Sequence, residues 1–216
     1  MKTALCLFGI VGGTSGKDGK GESIDPGIAF GYYLRNILAG NDVDVFFHTW
    51  SVEHKDKLVE LYNPVKYIAE KQIQFNHNPY THQAHSRWYS TQKSINLVWE
   101  HGFEKYKMIM LSRFDVAFFN RVDFSEYNPE YFYASHWNDV GNRMNHQMGF
   151  LDLWFFGGTG IMAGFGQLYN RIDKYDISPH KAAKQHAEFI GAKVKYTMYR
   201  GEDFEMVRRA ILKCKE

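Results

Sequence analysis

The sequence contains little cysteine, little proline, little net charge and no long hydrophobic run. Of its 216 residues, two are cysteine and five are proline, and 26 lysines and arginines balance 24 aspartates and glutamates. Two cysteines near opposite ends of the chain give no support for a disulfide framework, so we expect a reducing, cytoplasmic location. A balanced chain also lacks the concentrated basic face that is typical of nucleic-acid binding, and we expect no nucleic-acid partner.

No part of the sequence has the length of a membrane helix, which needs about 20 consecutive apolar residues. The apolar start of the chain, residues 1–8, runs almost directly into a loop that is rich in glycine and lysine. A signal peptide has a longer apolar stretch, followed by a cleavage site with small residues. We therefore expect no membrane segment.

Aromatic residues, in contrast, are abundant. Hydrophobic residues make up 44% of the chain and aromatic residues 17%, including seventeen phenylalanines and fourteen tyrosines. This composition suits a single domain with one core, and we expect some of the rings to line a pocket. We treat residues 1–216 as one domain, whose charged C-terminal end would also suit the N-terminal domain of a longer protein.

Short apolar runs alternate with segments of helical spacing along the chain. This alternation predicts an α/β fold with a central, mostly parallel (mixed) sheet and helices on both faces. Strands are predicted at 4–11, 43–47, 65–69, 107–111, 116–119, 131–135 and 193–198. Helices are predicted at 28–39, 55–62, 87–100, 162–172, 181–189 and 202–213, and polar loops at 74–85 and 138–147.

The segment KMIMLSRFDVAFF, residues 107–119, is the strongest functional signal. An apolar strand ends there in Arg113 and Asp115, and ligands of open α/β sheets bind outside the carboxyl ends of strands. A carboxylate in that position is suited to hold a divalent cation that bridges two phosphates. A simple ion pair between the two side chains is the structural alternative, with about equal weight.

Other segments supply candidates for contacts with a phosphate group or a nucleotide. Phe8, Gly9, Gly12 and Gly13 end the first strand, and glycine lets backbone N–H groups approach a phosphate closely. The loop matches neither the P-loop nor the Rossmann spacing. We expect further contacts from His48, at the end of the second strand, and from Arg87 and Ser90 on one helix face.

Two acidic segments are candidates for the sugar and the acceptor. Asp152 and Trp154 combine a carboxylate with an aromatic face, which together suit a sugar, although a core strand would have the same composition. Glu202 and Asp203 are adjacent carboxylates at the start of a predicted helix, where helix capping explains one of them. Asp152, Glu202 and Asp203 are therefore the candidate catalytic residues, one of which would act as a general base.

Six segments occur in an order that resembles GT-A-type glycosyltransferases, in particular small viral and bacterial polysaccharide transferases such as those that build chlorovirus capsid glycans. The segments are ALCLFGIVGG (4–13), DVDVFFHTW (42–50), SRWYSTQKSINL (86–97), YKMIMLSRFDVAFF (106–119), DLWFFGG (152–158) and RGEDFE (200–205). The resemblance implies a GT-A-like catalytic domain that transfers a sugar from a nucleoside-diphosphate sugar, preferably a UDP-sugar, to a glycan or glycoprotein acceptor. For a viral protein the location would be the host cytoplasm.

In that family a DXD motif ends a central strand and binds a metal ion together with the diphosphate. The matching tetrad here is SRFD, residues 112–115. Asp115 matches the last acid of the motif, which implies that it ligates Mn²⁺ or Mg²⁺. Arg113 stands where the family has the first acid, so this residue is assigned to phosphate or sugar hydroxyls. The viral resemblance favours a retaining mechanism over an inverting one.

Two other classes of function stay open at this level. A sugar nucleotidyltransferase would use a basic, glycine-rich loop after the first strand, and the segment GGTSGKDGKG, residues 12–21, has that character. A non-catalytic carbohydrate-binding domain would use aromatic faces and carboxylates, but it would not need a metal-binding acid at the end of a central strand.

Overall fold

The computed structural model describes residues 1–11, 24–75, 78–136 and 149–208. The strands in these ranges are β1 (Lys2–Gly9), β2 (Asp42–Thr49), β3 (Lys66–Ala69), β4 (Met108–Arg113), β5 (Val116–Phe118), β6 (Phe132–His136), β7 (Trp154–Gly158), β8 (Val194–Tyr199) and β9 (Phe204–Met206). The α-helices are α1 (Pro26–Tyr33), which continues as a π-helical turn (Leu34–Leu38), α2 (Lys55–Tyr62), α3 (Pro79–His101), α4 (Thr159–Phe165) and α5 (Pro179–Phe189).

Seven of the strands form one mixed sheet in the order β3-β2-β1-β4-β7-β6-β8, and β5 and β9 form a separate antiparallel pair. β1 pairs in parallel with β2 and β4, and β2 pairs in parallel with β3. β7 runs antiparallel to both of its neighbours, whereas β6 and β8 are parallel. The predicted α/β fold with a mostly parallel, mixed sheet is thus confirmed. The carboxyl ends of β1, β2, β4 and β6 lie at one edge of the sheet, and β7 begins at that edge.

The side chains of β1 alternate between two hydrophobic clusters, one on each face of the sheet. Ala4, Cys6 and Phe8 belong to the cluster that includes residues of α3 and α5. Leu5 and Leu7 belong to the other cluster, with residues of α1, α2, β5 and β9. Because elements pack against both faces, the positions of β1 from Ala4 to Phe8 are all apolar, and this explains the continuous apolar run in the sequence.

Helix α3 is longer than the sequence indicated, because the segment predicted as a loop over 74–85 is helical from Pro79 onward. Pro79 occupies the first turn, where its missing N–H group is not needed. The Asn78 side chain accepts hydrogen bonds from the backbone N–H groups of Tyr80 (2.9 Å) and Thr81 (3.4 Å). The polar residues that suggest a loop are therefore a helix cap and the first turn that it supports.

The helix predicted over 202–213 is wrong for residues 202–206, since a turn and strand β9 occupy them, whereas residues 207 and 208 are helical. Phe204 and Met206 both project into the cluster beneath α1 and α2. The Glu205 carboxylate between them is held by Arg200 instead. A period of two, set by the partner strand β5, therefore replaces the helical period that the composition suggested. Residues 209–213 lie outside the described residues.

The helix predicted over 162–172 is interrupted near its middle. α4 ends at Phe165, and a 3-10 helix follows over Leu168–Lys174. Gly166, at the break, packs so closely against Ile95 of α3 that a Cβ atom there would lie 2.6 Å from the Ile95 Cγ2 atom. This close approach favours glycine, which in turn weakens the helix. The loop predicted over 138–147 lies outside the described residues.

The structure bears on the expectations about the membrane and the cysteines only in the ranges that it describes. No helix in the described ranges combines the length and the apolar character that crossing a membrane requires. Cys6 is a free, fully buried thiol in β1. Burial raises the pKa of Cys6 far above its usual value, so this thiol is unreactive. Cys214 lies outside the described residues.

The helix cap at Asn78 generates a prediction about stability. Replacing Asn78 with alanine removes the acceptor for two backbone N–H groups, and we expect the free energy of unfolding to fall by about 1 kcal/mol. Ser178 is a matched control, because it caps α5 without a side-chain hydrogen bond to the helix. Urea denaturation should show no comparable loss for Ser178→Ala, and equal effects of both variants would contradict the cap at Asn78.

Candidate functional site

A cavity of about 760 Å³ lies at the edge of the sheet where the parallel strands end. Six of its lining residues were predicted from the sequence: Phe8, Gly9, Arg87, Arg113, Asp115 and Asp152. The remaining lining residues are Ile10, Trp50, Gln72, His82, Gln83, Ser86, Pro179, His180 and Arg208. The cavity thus collects side chains from strand ends, from α3 and α5, and from the segment after β9.

Arg113 and Asp115 form a two-point ion pair where β4 ends. Arg113 donates from Nε to Asp115 Oδ1 (2.8 Å) and from Nη2 to Asp115 Oδ2 (2.7 Å). The buried Tyr33 hydroxyl donates to the backbone oxygen of Arg113 at 2.6 Å, which fixes the end of the strand. Burial opposes the positive charge of Arg113, but the neighbouring Asp115 outweighs it and raises the pKa of Arg113. Arg113 is therefore a cation, and the two hydrogen bonds hold the pair in one geometry.

Asp152 lies directly before β7 and contacts two basic side chains. Its Oδ2 atom is 3.4 Å from Arg87 Nε, and its Oδ1 atom is 3.3 Å from His180 Nδ1. Burial alone would raise the pKa of Asp152, but the charges of Arg87, His180 and Arg113 together bring the pKa below its usual value. Asp152 is therefore an ionised carboxylate at neutral pH and a weak base.

The guanidinium group of Arg87 lies between two aromatic rings. Its Cζ atom is 3.7 Å from the centre of the Phe8 ring and 4.3 Å from that of Trp88. Nη2 donates to the backbone oxygen of Asp152 at 2.8 Å, and Nη1 donates to the Thr91 hydroxyl. Burial lowers the pKa of Arg87 to about 9, against the opposing effect of Asp152. The group is thus a desolvated cation in a fixed position.

A chain of buried polar groups fixes the end of β1 beside the cavity. The Gly9 N–H group donates to Ser90 Oγ at 2.8 Å, and Ser90 Oγ lies 2.7 Å from His48 Nδ1. His48 Nε2 lies 3.0 Å from Glu70 Oε1. Gly9 has a φ of +96°, a conformation that other residues rarely adopt. His48 and Ser90 therefore act from behind the cavity wall and position Gly9.

Trp50 adds an aromatic side to the cavity, directly after β2. Its ring stacks on Tyr89 with centroids 5.5 Å apart and an angle of 17° between the planes, and Phe75 packs against its edge. The buried indole Nε1 atom of Trp50 has no hydrogen-bond partner in the described part of the chain. Aromatic groups of this kind bind sugar rings or nucleobases by stacking.

Several predicted site residues are not brought to the cavity. Trp154 is fully buried in the core beneath α1 and α2 and packs against Phe204. For this residue the alternative of a core strand, rather than a sugar-binding face, is therefore correct. Asp203 accepts hydrogen bonds from the Tyr199 N–H group and from Asn120, which fixes the turn before β9. Glu202 is exposed in the same turn. Gly12 and Gly13 lie outside the described residues.

The residues of the cavity do not form a ready metal site. Both oxygens of Asp115 accept hydrogen bonds from Arg113, and Asp152 lies in contact with Arg87 and His180. No group of three or more potential metal-ligating side chains occurs in the ranges that the structure describes. A divalent cation at Asp115 would have to share both oxygens with the Arg113 guanidinium, whose positive charge opposes it. The sequence-based expectation of Mn²⁺ or Mg²⁺ stays a prediction.

Three of the lining residues that were not predicted from the sequence were missed for different reasons. Trp50 lies three residues beyond the strand predicted over 43–47 and two residues after His48, so the strand-end rule that selected His48 could have found it. His180 directly precedes the helix predicted over 181–189, and only the fold brings it to Asp152. Arg208 lies in a segment that had been predicted as a helix, and no local pattern marks it.

Comparisons with known proteins do not identify a family. No protein-family model matches the chain, and no curated protein is significantly similar to it. The residues that line the cavity are therefore the guide to function.

The buried histidines generate a prediction about pH. Burial lowers the pKa of His48 and of His186 below the ordinary value of 6.5, although hydrogen bonds to Glu70 and to the backbone partly offset this. In the unfolded chain both histidines bind protons as the pH falls below about 6.5, whereas the folded protein excludes those protons. Stability should therefore be full above that pH and should fall as the pH drops through the lower pKa values of the folded state.

Urea denaturation at a series of pH values from about 8 to 5 measures this effect. The His48→Gln variant should lose part of the slope, because glutamine has no proton to bind in this range. A free energy of unfolding that stays constant over the whole range would contradict the burial of neutral histidines.

Proposed function

We propose that the protein is a glycosyltransferase that moves a sugar from a nucleoside-diphosphate sugar, preferably a UDP-sugar, to a hydroxyl group of a glycan or glycoprotein acceptor. The observation that carries the proposal is the meeting of Arg87, Arg113, Asp115 and Asp152 in one cavity at the carboxyl edge of the sheet. Open α/β sheets bind ligands at this edge.

The chemistry of the cavity supports each part of such a donor. Arginine side chains match phosphate oxygens in charge and geometry. Ionised carboxylates accept hydrogen bonds from sugar hydroxyls, and aromatic rings such as that of Trp50 suit a sugar or a base. The volume of about 760 Å³ lies within the usual range for small-molecule sites.

In the transfer, the bond between the anomeric carbon and the donor phosphate oxygen breaks, and a bond to the acceptor oxygen forms. The negative charge develops on the departing diphosphate, where fixed cations stabilise it. We assign this role to Arg87 and Arg113.

The proton of the acceptor hydroxyl needs a destination. Asp152 has a pKa below its usual value and is therefore a poor general base. We assign to Asp152 the binding of a sugar hydroxyl, and to an oxygen of the departing diphosphate the proton of the acceptor. This arrangement favours retention of the anomeric configuration over inversion. Asp203 and Glu202 are not included in the proposal, since neither lines the cavity.

A carbohydrate-binding domain is the second candidate, and the aromatic side of the cavity around Trp50 favours it. It would bind sugars but would release no nucleoside diphosphate. A sugar nucleotidyltransferase would instead release pyrophosphate from a nucleoside triphosphate and a sugar phosphate.

The proposed reaction predicts a specific activity and a specific loss. Incubation with a panel of UDP-, GDP- and dTDP-sugars, with and without Mn²⁺, should release the nucleoside diphosphate from at least one donor. Replacing Asp152 with asparagine removes the charge that binds the sugar hydroxyl, and kcat/KM should fall by about 100-fold or more. Nucleoside-diphosphate release, followed by a coupled assay, measures both effects.

Glu205→Gln is the matched control, because Glu205 is also buried and paired with an arginine but does not line the cavity. Its kcat/KM should stay close to that of the wild type at a temperature where both variants are folded. Absence of release from every donor, together with binding of free sugars, would replace the proposal with the carbohydrate-binding candidate.

A further inference from the structure

We infer that arginine side chains, rather than a divalent cation held by Asp115, bind the diphosphate in this cavity, and that Asp115 positions Arg113 for this task. The inference rests on the proposed function and specifies how its donor is recognised. It departs from the expectation that the SRFD tetrad acts as a metal-binding motif.

Arg113 is oriented by Asp115 and keeps donors for a ligand. A guanidinium group carries five N–H donors. Nε uses its one N–H and Nη2 uses one of its two to bind Asp115. The other three have no partner within the ranges that the structure describes, and the side chain lines the cavity with 30% of its surface exposed. Asp115 therefore fixes one edge of the guanidinium and leaves the adjacent edge for phosphate.

Arg87 supplies a second cation that lacks full compensation. Its side chain is only 10% exposed. The Nε atom is buried, and at 3.4 Å from Asp152 Oδ2 it makes no proper hydrogen bond within the described residues. A buried cation that lacks a complete set of hydrogen bonds is unfavourable, and the negative charge of an anion in the cavity would offset part of this cost. The rings of Phe8 and Trp88 prevent the guanidinium from turning away.

Arg208 adds a third positive charge to the lining of the cavity. Among the described residues it has no carboxylate partner, and its Nη2 atom contacts only the sulfur of Met206, at 3.6 Å. Sulfur is a weak acceptor, so this contact does not neutralise the charge. Three arginines and two aspartates line the cavity, and the difference of one positive charge favours an anionic ligand.

The same contacts leave little room for a protein-held cation. Both Asp115 oxygens are already occupied by a unit positive charge, and the nearest other carboxylate of the cavity is held by Arg87 and His180. A divalent cation bound there would therefore lie beside the positive charge of Arg113 and compete with its two-point hydrogen bond. Arginine, in contrast, is already in place and needs no rearrangement when the diphosphate binds.

Calorimetric titration of the full chain with UDP, GDP and inorganic pyrophosphate, in EDTA and again in Mn²⁺, tests this inference. At least one of the diphosphates should bind in EDTA, and Mn²⁺ should change its Kd by less than about threefold. Arg113→Lys should weaken binding by about 10- to 100-fold, because lysine lacks the planar fork. Arg200→Lys is the matched control, since Arg200 pairs with Glu205 away from the cavity, and its Kd should stay within about twofold of the wild type.

Asp115→Asn separates a positioning residue from a metal ligand. If Asp115 is a positioning residue, its replacement should weaken diphosphate binding by the same factor in EDTA and in Mn²⁺. If Asp115 is a metal ligand, its replacement should weaken binding only in Mn²⁺. Because Arg113 loses its orientation, kcat/KM should also fall in Asp115→Asn. The free energy of unfolding should change no more than it does in Glu205→Gln, which provides the comparison for stability.

The outcomes distinguish this inference from the proposed function. Binding that occurs only in Mn²⁺, or an unchanged Kd in Arg113→Lys, would overturn the arginine assignment and leave a nucleotide-sugar site in place. Absence of binding by every diphosphate under both conditions would overturn the inference together with the proposed function.

Discussion

The antiparallel pairing of β7 with β4 is the constraint on which the candidate site depends. Ser112 lies opposite Trp154, and the Arg113 N–H group donates to the backbone oxygen of Leu153 at 3.0 Å. A parallel neighbour would place its carboxyl end beside the carboxyl end of β4. Because β7 is antiparallel, the residues that precede it lie there instead. Asp152 therefore reaches the same edge as Arg113, although the two residues are far apart in the sequence. The register of one strand pair thus creates the cluster of opposite charges.

The energetics of burial then couple the members of this cluster. A buried carboxylate is costly unless it is paired, and removal of one partner leaves the other uncompensated. Asp152 contacts Arg87 and His180, and Asp115 pairs with Arg113, so each charge helps to hold another in position. Such pairs contribute little net stability compared with apolar packing. Their presence at a cavity is better explained by the need for charged groups of fixed orientation.

The sequence was informative wherever a residue follows an apolar strand directly. Asp115, Gly9 and Phe8 were found in this way, because the end of a buried strand has a defined place in an α/β sheet. Arg87 was found from its spacing along a helix. Trp154 was assigned to the site along with Asp152, yet the pleat of β7 turns its ring into the core. Composition alone does not reveal at which residue the chain passes from the cavity into the core.

Other features depend on contacts between distant segments. His180 meets Asp152 only because α5 begins beside the residues that precede β7. There the backbone oxygen of His180 accepts a hydrogen bond from the Phe150 N–H group at 2.9 Å. Strand β9 forms because β5 supplies its partner, and this overrides a local preference for helix. Arg208 reaches the cavity as a consequence of that strand. None of these contacts has a signature within a short window of sequence.

Two arginine–carboxylate pairs in the same chain show how location decides what such a pair does. Arg200 donates twice to one oxygen of Glu205, which also accepts from the Met206 N–H group, and its side chain is 13% exposed. Arg113 binds both oxygens of Asp115 and remains 30% exposed on the cavity side. The first pair closes a turn around a buried strand and has little surface to offer a ligand. The second has the same chemistry but faces an open volume, and only there does the unused edge of the guanidinium become available for an anion.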